Sequence, residues 1–159
     1  METTRHFTAT VYVVAGGATA LHTHKRMGIT IPPGGHVDRD ELPHEAAIPE
    51  CEEETGLTPT IRRGDEDDRI DEPYCRQLPQ PRHQLLYDVD VHDGAVGHQH
   101  VDHIYYATVP SRDIEPAEDE VGADRWDWYT PADLRDGDLG PDVVDLGTEA
   151  IRVAERHRG

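Results

Sequence analysis

The sequence predicts an α/β fold, a sandwich of helices around a mixed β-sheet. Three observations point there. Short β-branched and aromatic segments recur, bounded by Gly or Pro. An acidic segment with helical character separates the early strands from the later ones. The last stretch carries apolar residues at helical spacing. With 159 residues the chain fits one domain, residues 1–159, and is long enough for a real core.

The elements follow in order. Residues 6–14, HFTATVYVV, have the content of a strand, and Gly16-Gly17 turns the chain into a second one, Ala18–His24. Ile29–Ile31 makes a short third strand, stopped by Pro32-Pro33. A helix is expected from about Glu41 to Thr55, with Pro43 in its first turn and Gly56 at its C-terminal stop. Leu57–Arg62 reads as another strand. Arg63–Pro81, polar and rich in acids and proline, reads as a long loop that is loosest over Arg63–Glu72. Arg82–Val91 and Val101–Val109 pair as a hairpin around a His/Gly-rich turn. Asp124–Tyr129 (DRWDWY) is a strand, after which Thr130 and Pro131 open a short helix through Leu134. Val143–His157 is amphipathic through Val144, Leu146, Ile151, Val153 and Ala154. No internal repeat breaks this order.

The 35% hydrophobic content comes close to the usual globular range once the 14 glycines are added, which argues against disorder throughout. No apolar run approaches the roughly 20 residues of a membrane span. The stretch METTRHFTATVYVV has no basic patch leading into an apolar run with a small-residue cleavage site, so a soluble cytoplasmic protein is expected. Cys51 and Cys75 make neither a disulfide framework nor a paired zinc motif. The net charge of −18, with Lys25 as the sole lysine, repels nucleic acid and anionic membranes. Its acids are spread over the whole chain, which favours a halophilic surface whose self-repulsion is screened by salt. An acidic domain made for a cationic partner is the other reading. Either way, most of the acids belong to a solvated surface.

One helix asks for more. At 100° per residue, Ala47, Ile48, Cys51 and Thr55 share a stripe that can face the core. Glu50, Glu53 and Glu54 fall on another flank, while Glu45 and Glu52 point to a third side and solvent. Like charges at these spacings repel by up to about half a kcal/mol per pair, so a compensating group is expected. A hard divalent cation would serve, because Mg²⁺ takes carboxylate oxygens and keeps waters for substrate phosphates.

The segment from Gly35 to Leu57 resembles the Nudix box of the Nudix hydrolases. Gly35 is followed after five residues by Glu41, and after seven more by position 49, Glu50, Cys51, Glu52, Glu53, Glu54, Thr55, Gly56 and Leu57. Every fixed place of the family pattern is matched except one, where Pro49 stands for the usual arginine. The strands before the box and the WDWYTPADL stretch after it are also similar to this family. The resemblance implies a Nudix-type α/β/α sandwich around a mixed sheet, and a Mg²⁺- or Mn²⁺-dependent pyrophosphohydrolase. Its substrates would be small: a nucleoside diphosphate linked to another group, in the nucleoside triphosphate, ADP-ribose or dinucleoside polyphosphate class. By position, Glu50, Glu53, Glu54 and the Gly35 carbonyl would hold the metal, and Glu41 would support the loop. Glu53 or Glu54 would also orient or deprotonate the attacking water.

Pro49 removes the guanidinium that would pair with the glutamates, together with one helical N–H, at a cost of about 3 kcal/mol in an ordinary helix interior. The intact glutamates favour retained metal binding with reduced activity. A non-catalytic nucleotide-binding protein is the alternative. One further acid is expected from the late loop: Glu120, with Glu118 and Asp119 as rivals. Arg26, Arg39, Arg82 and His100 are candidates for substrate phosphates. His98, His100 and Asp102 share a strand face, and with His22 and His24 they are weighed as a transition-metal site against histidines that merely line a sheet. Pro73 and Tyr74 give conflicting hints on substrate. Trp126 and Trp128 divide between core packing and base stacking. A homodimer is compatible with the sequence.

Overall fold

The computed structural model describes residues 2–24, 28–64 and 69–156. Its strands are β1 (Thr4–Ala15), β2 (Ala18–Thr23), β3 (Thr30–Ile31), β4 (Gly34–His36), β5 (Thr60–Ile61), β6 (Asp71–Glu72), β7 (Cys75–Arg76), β8 (His83–His92), β9 (Ala95–Thr108) and β10 (Trp126–Tyr129). Its helices are α1 (Pro43–Thr55), α2 (Pro131–Asp136) and α3 (Pro141–Arg156). The main sheet runs β10-β2-β1-β9-β5, with β3 on β2, β4 on β1 and β8 on β9. The long β1/β9 pair is parallel, from Thr4 opposite His98 to Val14 opposite Thr108, and the other pairs are antiparallel. The sheet is therefore mixed, as the alternation of strands and helices predicts.

Both faces of β1 and β9 are covered over residues 9–14 and 104–107, which explains the apolar run that ends HFTATVYVV. Ala9, Val11 and Val13 pack with Tyr105 and Ala107 under Ala46, Ala47 and Cys51 of α1. Tyr12 and Val14 pack with Ile104 and Tyr106 under Leu146, Ala150 and Ile151 of α3. Odd-numbered side chains of these two strands thus face α1, and even-numbered ones face α3. This parity decides which sequence candidates can meet.

Several expectations change in detail. The hairpin of β8 and β9 turns at Asp93-Gly94, both with positive φ (50° and 78°), which suits a tight two-residue turn. The His/Gly-rich run is consequently strand, not turn. In the expected loop, β6 and β7 form a small hairpin around Pro73-Tyr74, and Tyr74 is 86% exposed at its tip. Residues 65–68 of that loop lie outside the described residues, as does Arg26. Gly34–His36, passed over in the sequence, pairs with β1 at Thr8–Thr10. In α1 the buried stripe is Ala46, Ala47, Cys51 and Thr55, with Ile48 only half-buried. Among the described residues no helix is long and apolar enough to cross a membrane.

Candidate active site

Helix α1 starts with Pro43 in its first turn, and Glu45 Oε2 accepts from the Leu42 N–H at 3.3 Å. The helix runs unbroken through Pro49, whose side is exposed. Burial of the opposite side holds it there, aided by Thr55 Oγ1 donating to the Cys51 carbonyl at 2.6 Å. The C-terminal end is closed from outside. Gly56 sits at φ 75° and donates to the Glu52 carbonyl, and a Cβ there would lie 2.4 Å from the Glu115 carbonyl oxygen. Glycine is required on both counts. The N–H groups of Glu115 and Ala117 then donate to the carbonyls of Thr55 and Glu53, each at 2.8 Å. Two orphan carbonyls of the last turn are thereby satisfied by the loop that carries Glu118, Asp119 and Glu120.

That tie brings Glu120 to the helix. Glu120 acts electrostatically on both Glu50 and Glu54, whereas Glu118 and Asp119 point to solvent. Glu50 lies against Gly35: a Cβ on Gly35 would stand 2.6 Å from the Glu50 Cδ. Glu54 Oε2 accepts the Gly34 N–H at 3.0 Å. Glu41 Oε1 accepts the Asp38 N–H at 2.9 Å, bracing the turn between β4 and α1. Glu50 and Glu54 therefore meet Gly34-Gly35 where α1 meets β4, and Glu53 and Glu120 are near enough to act on them electrostatically.

The electrostatics are one-sided. Burial, followed by the charges of Glu50, Glu120 and Glu53, pushes Glu54 up to about 8, against the opposing Gly34 N–H. Burial and the charges of Glu53, Glu120, Glu41 and Asp38 raise Glu50. Among the described residues no arginine or histidine forms an ion pair with any of the four. A set of oxygen donors with uncompensated repulsion fits a hard divalent cation.

Of the other candidates, Arg82 and His100 lie elsewhere. Arg39 is exposed in the turn before α1. Arg82 donates to the Arg62 carbonyl at 3.5 Å and lies beside Tyr106, which packs under α3. His100 is even-numbered and faces the α3 side. There it joins His6, His36 and His98, while His22 packs against Trp126 with ring centroids 4.7 Å apart. Burial, then the other three imidazoles, lowers the pKa of His100. Trp126 is core, and Trp128 donates to the Arg112 carbonyl with that guanidinium over its ring. A cleft of about 320 Å³ opens near the start of α1, lined by Leu42, His44, Arg63, Ile70 and Arg76 among others. None of the four glutamates lines it.

The NUDIX domain matches residues 4–146. A NUDIX-family hydrolase from Clostridium perfringens is 32% identical, with a TM-score of 0.81 over 94% of this chain and 98% of that one. An ADP-ribose pyrophosphatase from Streptococcus suis shares the fold at 14% identity, with a TM-score of 0.55 over 97% of this chain and 94% of that one. The Ap4A hydrolase of C. elegans does so at 17% identity, with a TM-score of 0.51 over 99% and 100%. No curated protein sequence matches the chain. The domain match and the likeness to the Clostridium perfringens protein make the chain a member of the Nudix hydrolase family, a hydrolase acting on pyrophosphate bonds.

Proposed function

We propose that the protein hydrolyses a nucleoside diphosphate linked to another group, with Mg²⁺ or Mn²⁺ as cofactor. The observation that carries this reading is the placement of Glu50 and Glu54 against Gly34-Gly35, with the charges of Glu53 and Glu120 acting on them and no ion pair to any of the four among the described residues. These four carboxylates and the Gly35 carbonyl would hold the metal. When bound, such ions neutralise the diphosphate, align it for in-line attack and activate the attacking water. The chain's own residues do the rest. The Gly34 N–H fixes the rotamer of Glu54, and the absence of a side chain on Gly35 lets Glu50 reach the backbone. Glu53, the most solvent-exposed of the three on α1, would orient or deprotonate water, with Glu54 as its rival. Arg39 is the described arginine nearest in sequence to the Gly34-Gly35 loop, and we assign it to substrate phosphate.

Pro49 supports slower turnover than an arginine at that place would give, because no guanidinium steadies the four acids. Incubation with nucleoside triphosphates, ADP-ribose and dinucleoside polyphosphates, with and without Mg²⁺, tests the proposal. Mg²⁺-dependent release of a nucleoside monophosphate or of pyrophosphate is expected for at least one class. Nucleotide binding without turnover across the set would favour a non-catalytic, regulatory role.

A further inference from the structure

Four of the chain's 11 histidines converge on the sheet face opposite the carboxylates. The register explains how. Parallel pairing sets His6 opposite His100, with Thr4 opposite His98, and antiparallel pairing sets His36 opposite Thr8. All are on the even-numbered face, beyond the part that α3 covers. One nitrogen from each of His6, His98 and His100 lies within 4.8 Å of the other two. The ring of His36 stands 5.2 Å from that of His100 and 5.3 Å from that of His6.

Packing alone gives a weak account of this cluster. His6 and His36 are exposed and His98 and His100 half-buried, so little apolar area is gained by gathering them. None of the four pairs with a carboxylate among the described residues. The nearby Asp102 is occupied instead, accepting from Thr8 at 3.0 Å and from Thr10 at 2.8 Å. His98 is oriented by its neighbour: its Nδ1 lies 2.8 Å from Thr4 Oγ1, which also reaches the Gly97 carbonyl at 3.3 Å. If the hydroxyl donates to that carbonyl, Nδ1–H donates to the hydroxyl and Nε2 keeps its lone pair. Imidazoles that bind metals are oriented in this way.

We propose that His6, His98 and His100 bind one borderline divalent transition-metal ion, with Zn²⁺ as the reference, at a site separate from the glutamates. Neutral imidazole nitrogens suit Zn²⁺, Ni²⁺ or Cu²⁺ and bind Mg²⁺ poorly, whereas the carboxylates across the sheet have the opposite preference. Tetrahedral Zn–N bonds of about 2.0–2.1 Å need ligand nitrogens roughly 3.4 Å apart, so the rings must close in by small rotations. Three rings on open surface can do so. His36 or water completes the shell.

Calorimetric titration of chelator-treated protein with Zn²⁺ alone tests the site. One equivalent is expected to bind, and to do so in millimolar Mg²⁺ and in Glu54→Gln. His98→Ala and His100→Ala should each weaken binding by about tenfold or more. Co²⁺ should give visible d–d bands of nitrogen coordination that the same two variants lose. Melting curves show whether the variants fold. If either does not, the exposed His6→Ala takes its place, with the same expected loss. Unchanged Zn²⁺ affinity in the folded histidine variants would overturn the proposal, as would no binding at all. Zn²⁺ binding that Mg²⁺ or Glu54→Gln abolishes would place the ion at the glutamates and overturn it equally.

Discussion

Helices α1 and α3 cover opposite faces of one sheet and are stabilised by different means. α3 buries Val143, Leu146, Gly147, Ala150, Ile151, Val153 and Ala154, a wide apolar stripe that anchors it. α1 buries only Ala46, Ala47, Cys51 and Thr55, and it contains a proline. What α1 lacks in apolar area it recovers from bonds at its ends and to its neighbours: Glu45 to Leu42, Gly56 to Glu52, the Glu115 and Ala117 N–H groups to its last turn, and Gly34 to Glu54. The helix that carries the proposed metal ligands depends on directional bonds for want of apolar area, whereas α3 adds bonds of Asp142 to Tyr87 and of Glu149 to His83 and Tyr106 to its wide apolar stripe.

That contrast can be broken first at the glutamates. Glu54→Gln or Glu53→Gln removes a charged oxygen ligand at nearly constant size, so metal-dependent turnover should fall by orders of magnitude. The metal-free melting temperature should hold or rise, because a repulsive charge is gone. Hydrolysis unchanged in both variants would sink the catalytic assignment. Ile151→Ala on α3 should show the reverse. The lost burial should cost about 2–5 kcal/mol in denaturant unfolding, while kcat per folded molecule stays near that of the parent.

Pro49→Arg comes next, since it touches both properties of α1. It restores a helical N–H and supplies a cation beside Glu50 and Glu53, so stability should rise by up to about 3 kcal/mol and the rate should rise with it. A higher melting temperature at constant rate would make Pro49 a matter of helix stability alone. The pH dependence of the metal-free protein offers a finer test. Glu54 is raised from 4.5 to about 8 in the fold, so the native state binds its proton more tightly than the unfolded chain does. The stability contributed by that proton is complete below about 4.5 and is lost as pH rises through about 8. Glu54→Gln should flatten this decline, and saturating Mg²⁺ should reverse it. An equally steep fall in Glu54→Gln would point to other groups. The smallest effect is expected from salt. If the charge of −18 is a saline adaptation, melting temperature should rise from low to molar KCl as repulsion is screened, and a flat profile would remove that reading.

How much was legible in the sequence varied with the range of the interaction. Local signals read true: Pro43 and Gly56 at the ends of α1, Thr130 and Pro131 opening α2, and the box spacing that marked the family. The stripe of α1 was off by one position. Ala46 takes the place of Ile48, and periodicity alone does not say which edge of the stripe the sheet covers. The choice among Glu118, Asp119 and Glu120 depended on two backbone bonds from a distant loop. The alternation of His98 and His100 was visible, but their partners were not. His6 and His36 join them through the β1/β9 and β1/β4 pairings, whereas His22 goes to Trp126. Parity also sets His100 on the face away from the acidic helix. A strand declares its alternation in sequence, but the sheet decides which face is which.

The parallel β1/β9 pair, with the loop that ties onto the end of α1, also sets an order in time. During synthesis β1, β4 and the three glutamates of α1 emerge well before β9 and residues 115–120. Until those arrive, β1 lacks its long parallel partner, Glu120 is absent from its companions, and His6 and His36 have no His98 or His100 to meet. Both clusters are closed by the second half of the chain. Such distant pairings are slow to form, so refolding should lag behind that of a helical bundle of the same length. Metal capture should accordingly be among the last events to register in a refolding experiment, after the hairpin of β8 and β9 has docked.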